Sequence, residues 1–148
     1  MFDDLTELYQ QVILDHSKSP RNFRKIEGAN RIAQGHNPIC GDNVTLYLQV
    51  EDDVVRDISF QGDGCAISKA SASLLTDALK GRTTGEVRTL FEKIHEMVKT
   101  GRNEDAQLGK LAAFAGVYKF PARVKCAILP WHATMAALAQ REEKVSTE

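Results

Sequence analysis

The sequence predicts an α+β fold, in which a small three-stranded antiparallel sheet packs against about five to six helices. Two observations carry this prediction. Residues 43–61 alternate apolar and polar side chains, as half-buried strands do. The segments before and after them repeat apolar residues every three to four positions, as amphipathic helices do. Helix, strands and then helices, in this order, are typical of α+β rather than alternating α/β proteins.

The first predicted helix begins behind Asp3 and Asp4, whose charges suit the positive end of a helix. It is expected to stop before Pro20, and residues 17–30 are expected to form a basic irregular connector. His16, near its end, would suit the helix dipole as a cation. The predicted inner stripe consists of Leu5, Leu8, Tyr9, Val12 and Ile13.

The central strands are predicted from "VTLYLQV" (44–50) and "VVRDISFQG" (54–62), joined by a turn at "EDD". Apolar residues at every second position put one face of this hairpin against a core. Residues 30–35 are expected to add a short third strand, because an isolated hairpin is only marginally stable.

Four or five further helices follow in the prediction. The first starts after Gly64 and stops at Gly81, and the next begins with a capping box of Thr83 and Glu86. A polar loop (100–105) then precedes a short helix over 106–117. Helices over 120–129 and 131–144 come last, either separated or kinked by Pro130. Residues 142–148 are expected to be a frayed tail.

Composition limits the function of the chain. Its 148 residues fit one domain, 1–148, and a net charge of −1 gives no basic face for nucleic acid. No apolar stretch approaches the length of a membrane span. The N-terminus is acidic and amphipathic, unlike a signal or transit peptide. A cytoplasmic location is therefore expected, with neither nucleic acid nor membrane as a partner.

The three cysteines, Cys40, Cys65 and Cys126, stand 25 and 61 residues apart. An odd number cannot be used up by disulfides, and in a reducing compartment such residues are buried, metal-bound or catalytic. Cys65 follows "GDG" at a predicted helix start, where the dipole favours a thiolate. Cys40 is one residue from Asp42, so a thiolate and a carboxylate can converge, although aspartate also forms ordinary turns.

Cys126 is the third candidate. Arg123 and Lys125 favour its thiolate electrostatically, but the apolar residues 127–129 equally suit a core cysteine. Three sulfurs and one oxygen would complete a tetrahedral zinc site. That set is Cys40, Asp42, Cys65 and Cys126. Spacing alone does not decide it, because no CxxC pair is present, and His36 and His132 are weaker alternative ligands or proton donors.

Three motifs, "NPICGD" (37–42), "GDGCAISKASAS" (62–73) and "FPARVKCAILPWHA" (120–133), resemble those of the U-type iron–sulfur cluster assembly family, the family of IscU and the N-terminal domain of NifU. The resemblance covers nearly the whole chain and implies the SufE/IscU-like fold. It implies metal ligation by the four candidates, acceptance of a persulfide sulfur from a cysteine desulfurase on Cys40, and a place for Arg123 close to the site.

Within this family the chain resembles the SufU branch. Lys125 stands where IscU scaffolds have a histidine, the spacer between the second and third cysteines is long, and "FPARVKC" departs from the Leu-Pro-Pro-Val-Lys motif. SufU-like proteins hold zinc and serve as sulfurtransferases, whereas IscU-like proteins assemble a transient [2Fe–2S] cluster.

These features favour a zinc-dependent sulfurtransferase that activates a SufS-type cysteine desulfurase rather than a stand-alone enzyme. A downstream SUF scaffold or apo iron–sulfur proteins would be further partners. The alternatives are an IscU-like scaffold that binds iron and a [2Fe–2S] cluster, and a purely structural zinc module. A Cys–His hydrolase is disfavoured, because no oxyanion-hole signature accompanies any cysteine.

Overall fold

The structure, a computed structural model, describes residues 2–102, 106–139 and 144–146, with side chains described for 7–102 and 108–139. These residues form five helical segments and four strands, and the predicted α+β fold is confirmed. The helices are α1 Phe2–Lys18, α2 Ala66–Leu79, α3 Thr84–Thr100, a 3₁₀ segment Ala106–Lys119, and α4 Pro121–Leu138. The strands are β1 Arg31–Asn37, β2 Asp42–Glu51, β3 Val54–Asp63 and β4 Lys144–Ser146.

The sheet has the strand order β3-β2-β1-β4. Strands β1, β2 and β3 are antiparallel neighbours, as predicted, and the third strand over β1 is confirmed. Asp52 and Asp53 form the hairpin turn with φ of 52° and 59°, which matches the twist of the strands it joins. The short β4 pairs parallel to β1 where a frayed tail was expected. The rest of that tail, 142–143 and 147–148, lies outside the described residues.

The core lies between one face of the sheet and the helices. Leu46, Leu48 and Ile58 on this face are fully buried, and Trp131 of α4 is 1% exposed. Complete burial of side chains of this size contributes about 1.5–3 kcal/mol each. Small buried residues of α2 let that helix lie close to its neighbours. They are Ala70, Ser71, Ala72 and Ser73.

Local signals fix the helix starts well. The predicted capping box is present: the Thr83 N–H donates to Glu86 Oε1 at 2.9 Å, and the Glu86 N–H donates to Thr83 Oγ1 at 3.1 Å. The inner stripe predicted for α1 is only partly correct. Tyr9 and Val12 pack against the core, but Leu8 is 56% exposed. The side chain of Leu5 lies outside the described residues.

Two helix predictions are wrong in detail. The predicted short α-helix after residue 105 is a 3₁₀ segment, interrupted by a non-helical residue at Gly109. Of the two alternatives left open for the last helices, separation at Pro130 is wrong, because α4 runs through this residue as one helix. Proline has no N–H to donate to the Cys126 carbonyl one turn earlier. Next to this position, α4 is tied to α2 by the Ser71 hydroxyl, which donates to the Ala127 carbonyl at 2.6 Å.

The end of α4 also falls short of the prediction. The helix stops at Leu138, and the predicted extension over 140–143 lies outside the described residues. Among the helices that the structure describes, none combines the length and the apolar character needed to cross a membrane.

Candidate metal centre

The four predicted ligands come from four parts of the chain that meet where β1 ends and β2 begins. Cys40 lies in the loop 38–41 between these strands, and Asp42 is the first residue of β2. Cys65 is the N-cap of α2, as the sequence predicts, and Cys126 lies in α4. Gly41 has a φ of +71°, so the turn that separates Cys40 from Asp42 uses a conformation that glycine adopts without strain.

Cys40, Asp42 and Cys126 form the compact part of the centre. Their ligand atoms all lie within 4.8 Å of one another. The Cys126 thiol donates to Cys40 Sγ at 3.2 Å, across 86 residues of sequence. Cys40 is exposed, whereas Cys126 is only 2% exposed. The two sulfurs are therefore neighbours with opposite access to solvent.

Asp42 joins Cys65 to this group. Its carboxylate is fully buried, Oδ1 accepts the Cys65 N–H at 2.7 Å, and the Cys65 thiol donates to Oδ2 at 3.7 Å. A Cβ at Gly64 would lie 2.6 Å from both Asp42 Oδ1 and Ser68 Oγ. Position 64 therefore has to be glycine for the carboxylate to approach the start of α2.

The start of α2 supplies a donor to Cys65. The Ser68 N–H donates to Cys65 Sγ at 3.4 Å, so the sulfur caps the helix. Unpaired N–H groups at a helix N-terminus stabilise a thiolate. The position inferred from "GDGC" in the sequence is thereby confirmed.

Burial controls the protonation of Cys126. It raises the pKa of this thiol above its ordinary value, and hydrogen bonds with Cys40, Asp42 and Cys65 raise it further. A sulfur ligand has to be deprotonated, so a nearby positive charge is needed before Cys126 can serve as one.

The donor set of the centre fits zinc. Thiolate sulfur and carboxylate oxygen are both ligands of tetrahedral zinc. A buried carboxylate normally pairs with a cation or coordinates a metal. Within the described part of the chain no ion pair involves Asp42, and the partners of its carboxylate are thiols and the Cys65 N–H rather than a cation. A cation in the centre would compensate Asp42 and favour the thiolates together.

Arg123 is not joined to the cluster in this structure. Its guanidinium lies 5.4 Å from the centroid of the Phe120 ring, and among the described residues no hydrogen bond links it to a cysteine or to Asp42. Arg123 is exposed, in the first turn of α4.

The histidines considered as alternative ligands also lie outside the compact group. The His36 Nδ1–H donates to Asn43 Oδ1 at 2.7 Å. His132 packs against Phe91 and His95, with ring centroids 5.4 and 6.0 Å away. Both side chains have other partners, and neither is among the residues whose ligand atoms cluster.

Sequence reasoning missed two residues that build the centre, Asn37 and Ser68. Asn37 is fully buried, and its amide donates to Cys126 Sγ at 3.9 Å. A signal existed for Ser68, which stands three positions after an N-cap, where its backbone N–H faces the capping side chain.

Comparison with known proteins gives the family. Residues 8–127 match the model of the NifU-like N terminal domain. The chain belongs to this family of iron–sulfur cluster assembly proteins. The family resemblance of its three motifs is thereby confirmed.

Full-length relatives carry two different names. The chain is 39% identical to the zinc-dependent sulfurtransferase SufU of Bacillus subtilis strain 168, over 94% of its own length and 95% of the relative's. It is 41% identical to the iron–sulfur cluster assembly scaffold protein IscU of Streptococcus pyogenes serotype M1, over 90% and 84%. The crystal structure of FiSufU from Fervidobacterium islandicum AW-1, described as an iron–sulfur cluster assembly scaffold protein for the SUF system, superposes with a TM-score of 0.81 at 37% identity, over 86% and 94%.

Proposed function

We propose that this protein is a zinc-containing sulfurtransferase that accepts persulfide sulfur from a SufS-type cysteine desulfurase on Cys40. The supporting observation is the contrast in exposure within the sulfur pair. Cys40 is exposed while Cys126, whose Sγ is 3.2 Å away, is 2% exposed. An acceptor thiol has to reach the active site of a second protein, and Cys40 is the thiol placed to do so.

The reaction is a thiol-exchange step. Cys40, as a thiolate, attacks the outer sulfur of the persulfide on the desulfurase's cysteine. The bond between the two sulfurs of that persulfide breaks, and its electron pair leaves on the desulfurase's cysteine as a thiolate. Cys40 then carries the persulfide.

Zinc would be held by Cys40, Asp42, Cys65 and Cys126. When bound, it would keep the thiols deprotonated and guard them against oxidation. Asp42 supplies the one oxygen of the set. Arg123 is proposed to pair with Asp42 or Cys40 during transfer, because its guanidinium is exposed and rests on an aromatic ring rather than on a carboxylate.

Exposed apolar residues offer a contact for the desulfurase. Ile39, directly before Cys40, is 62% exposed, and Phe120, directly before α4, is 53% exposed. The cysteines are free, which suits the reducing cytoplasm. A downstream SUF scaffold or apo iron–sulfur proteins would receive the sulfur.

The competing proposal is a scaffold that builds a [2Fe–2S] cluster on the same residues. The 41% identity to a relative named IscU favours it. Lys125, at the position where the resemblance to classical IscU scaffolds implies a histidine beside the third cysteine, weighs against it.

Metal analysis of freshly purified protein, paired with desulfurase turnover, separates the two proposals. About one zinc per chain, and turnover strongly stimulated by the protein, is the expected result. Cys40→Ala should abolish stimulation while the protein stays folded, and Gln34→Ala, at an exposed position of β1, should stimulate normally. A brown, zinc-poor protein that leaves turnover unchanged would favour the scaffold, and full stimulation by Cys40→Ala would remove Cys40 as acceptor.

A further inference from the structure

Asn37 occupies an unusual place beside the cluster. It is the last residue of β1, it pairs with Asp42 across the antiparallel ladder, and it is fully buried. The loop that this pair closes, 38–41, carries Cys40. A buried carboxamide requires hydrogen-bond partners at both of its ends.

Both ends of the Asn37 amide have partners, one in the loop that carries Cys40 and one at the sulfur of Cys126. Oδ1 accepts the Ile39 N–H at 3.2 Å, and Nδ2 donates to Cys126 Sγ at 3.9 Å. The orientation of the amide follows from its neighbour: a backbone N–H can only donate, so oxygen must face Ile39 and the NH₂ group must face the sulfur.

The three sulfurs differ in their N–H donors. Cys126 receives the Asn37 amide, and Cys65 receives the Ser68 backbone N–H at 3.4 Å. Among the described residues, the hydrogen bond to Cys40 Sγ comes from the Cys126 thiol alone. Among the residues that the structure describes, Cys40 Sγ is therefore the sulfur that no N–H group holds in place.

We propose that Asn37 is a positioning residue that makes Cys126 the retained metal ligand and leaves Cys40 as the exchangeable one. This inference rests on the proposed function in taking the four residues as metal ligands. One end of the amide donates to the buried sulfur. The other end holds the loop, and with it the exposed sulfur of Cys40, against Cys126. Outer partners of this kind change metal affinity or activity by about 10- to 100-fold.

Asn37→Asp tests the proposal, because it keeps the size of the side chain and the acceptor for Ile39 but replaces the donor NH₂ by an oxygen. Competition with a chromogenic chelator should show zinc affinity lowered by about 10- to 100-fold. In the cobalt-substituted protein the thiolate-to-metal charge-transfer band should weaken. Limited alkylation of the zinc-loaded protein should label Cys126 earlier relative to Cys40 than in wild type.

Gln34→Glu is the matched control, since it makes the same amide-to-carboxylate change at an exposed position of the same strand. It should leave all three readouts unchanged. If Asn37→Asp does not fold, Asn37→Ala removes the amide donor without adding charge and should give the same direction of change.

Two outcomes would overturn the proposal. One is zinc affinity within about twofold of wild type, far below the loss expected for an outer ligand partner. The other is a lower melting temperature with an unchanged cobalt spectrum and order of alkylation, which would leave Asn37 a merely structural role. None of these readouts uses the desulfurase. The proposal for Asn37 can therefore fail while the proposed function stands, and the proposed function can fail while the proposal for Asn37 stands.

Discussion

The two sulfurs that lie closest together in the cluster are held in opposite ways. Cys40 belongs to the short exposed loop 38–41, whereas Cys126 lies inside α4, close in sequence to the buried Leu129 and Trp131. The same chemical group therefore occurs once in an exposed loop and once in the buried part of a helix. The difference shows that surroundings, rather than residue type, separate a sulfur suited to exchange from one suited to anchoring.

The physical basis of this difference is the free energy needed to displace each of the two cysteines. Displacing Cys126 would disturb the core around α4, with its fully buried Leu129. Displacing Cys40 disturbs a loop with little buried apolar surface, and such segments open at much lower cost.

The largest expected effect contrasts the two sulfurs directly. Cys126→Ser should lower zinc affinity by more than about 100-fold, beyond the effect of losing an outer partner, because it removes the anchoring ligand. Cys40→Ser should retain measurably more zinc, since the other three candidate ligands keep their places. Zinc content and chelator competition on both variants provide the measurement. Equal losses of zinc affinity in the two variants would contradict the distinction between Cys126 as anchor and Cys40 as exchangeable ligand.

A second test displaces Asp42 without changing any ligand. Gly64→Ala places a methyl group 2.6 Å from Asp42 Oδ1, so the carboxylate has to shift. Zinc affinity should fall by about 10-fold or more, in the range of outer-partner losses. Gly116→Ala is the control, because a Cβ there meets nothing within 4 Å. Wild-type affinity in Gly64→Ala would mean that Asp42 does not need its present position.

A third test weakens only the packing of α4, the helix that carries Cys126. Ser71→Ala removes the hydrogen bond that ties α2 to the Ala127 carbonyl of α4, and such a bond contributes about 0.5–1.5 kcal/mol. Denaturant unfolding should show this loss of stability. Ser17→Ala, which removes an exposed hydroxyl bonded to the Leu14 carbonyl at 2.9 Å, should change stability much less. Similar losses in both variants would contradict the role given to Ser71.

The smallest effect concerns pH and a residue outside the cluster. His16 is 2% exposed, its Nδ1 lies 2.7 Å from Ser73 Oγ, and burial lowers its pKa below the ordinary 6.5. The unfolded chain therefore binds a proton at His16 at a higher pH than the folded protein does. The contribution of neutral His16 to the stability of the fold is therefore fully present above pH 6.5 and is lost as the pH falls below that value.

Melting curves between pH 7.5 and 5, compared for wild type and His16→Asn, measure this contribution (roughly the window in which histidine titrates). The variant should lose less stability on acidification. Burial also lowers the pKa of His95 and His132, so some dependence should remain. Identical pH profiles would show that His16 is not kept neutral. The buried position also corrects the expectation of a His16 cation at the end of α1.

The sequence was sufficient for features decided by neighbours along the chain. The capping box at Thr83 and the hairpin turn at 51–53 follow from a few adjacent residues. The path of α4 through Pro130 was not predictable in this way, because it depends on contacts with elements distant in sequence, such as the hydrogen bond from Ser71 of α2 to the Ala127 carbonyl. The break at Gly109 likewise depends on how its segment packs rather than on its composition.

The candidate site likewise contains residues that the sequence identifies and a residue that only the fold reveals. Cysteine and aspartate are recognisable as ligands from their chemistry, and Cys40, Asp42 and Cys126 do lie together. Asn37 resembles an ordinary turn residue before a proline, and its contact with Cys126 spans 89 positions. Only the folded chain shows that contact.

The sulfur pair also bears on biosynthesis. Cys40 and Cys126 are separated by 86 positions, so most of the chain has already left the ribosome when Cys126 emerges. A nascent chain that ends before α4 already contains Cys40, Asp42 and Cys65 but cannot bring them against Cys126. Contacts this distant in sequence form late and slowly. The complete cluster therefore exists only in chains whose synthesis has passed α4, and truncated products cannot assemble it.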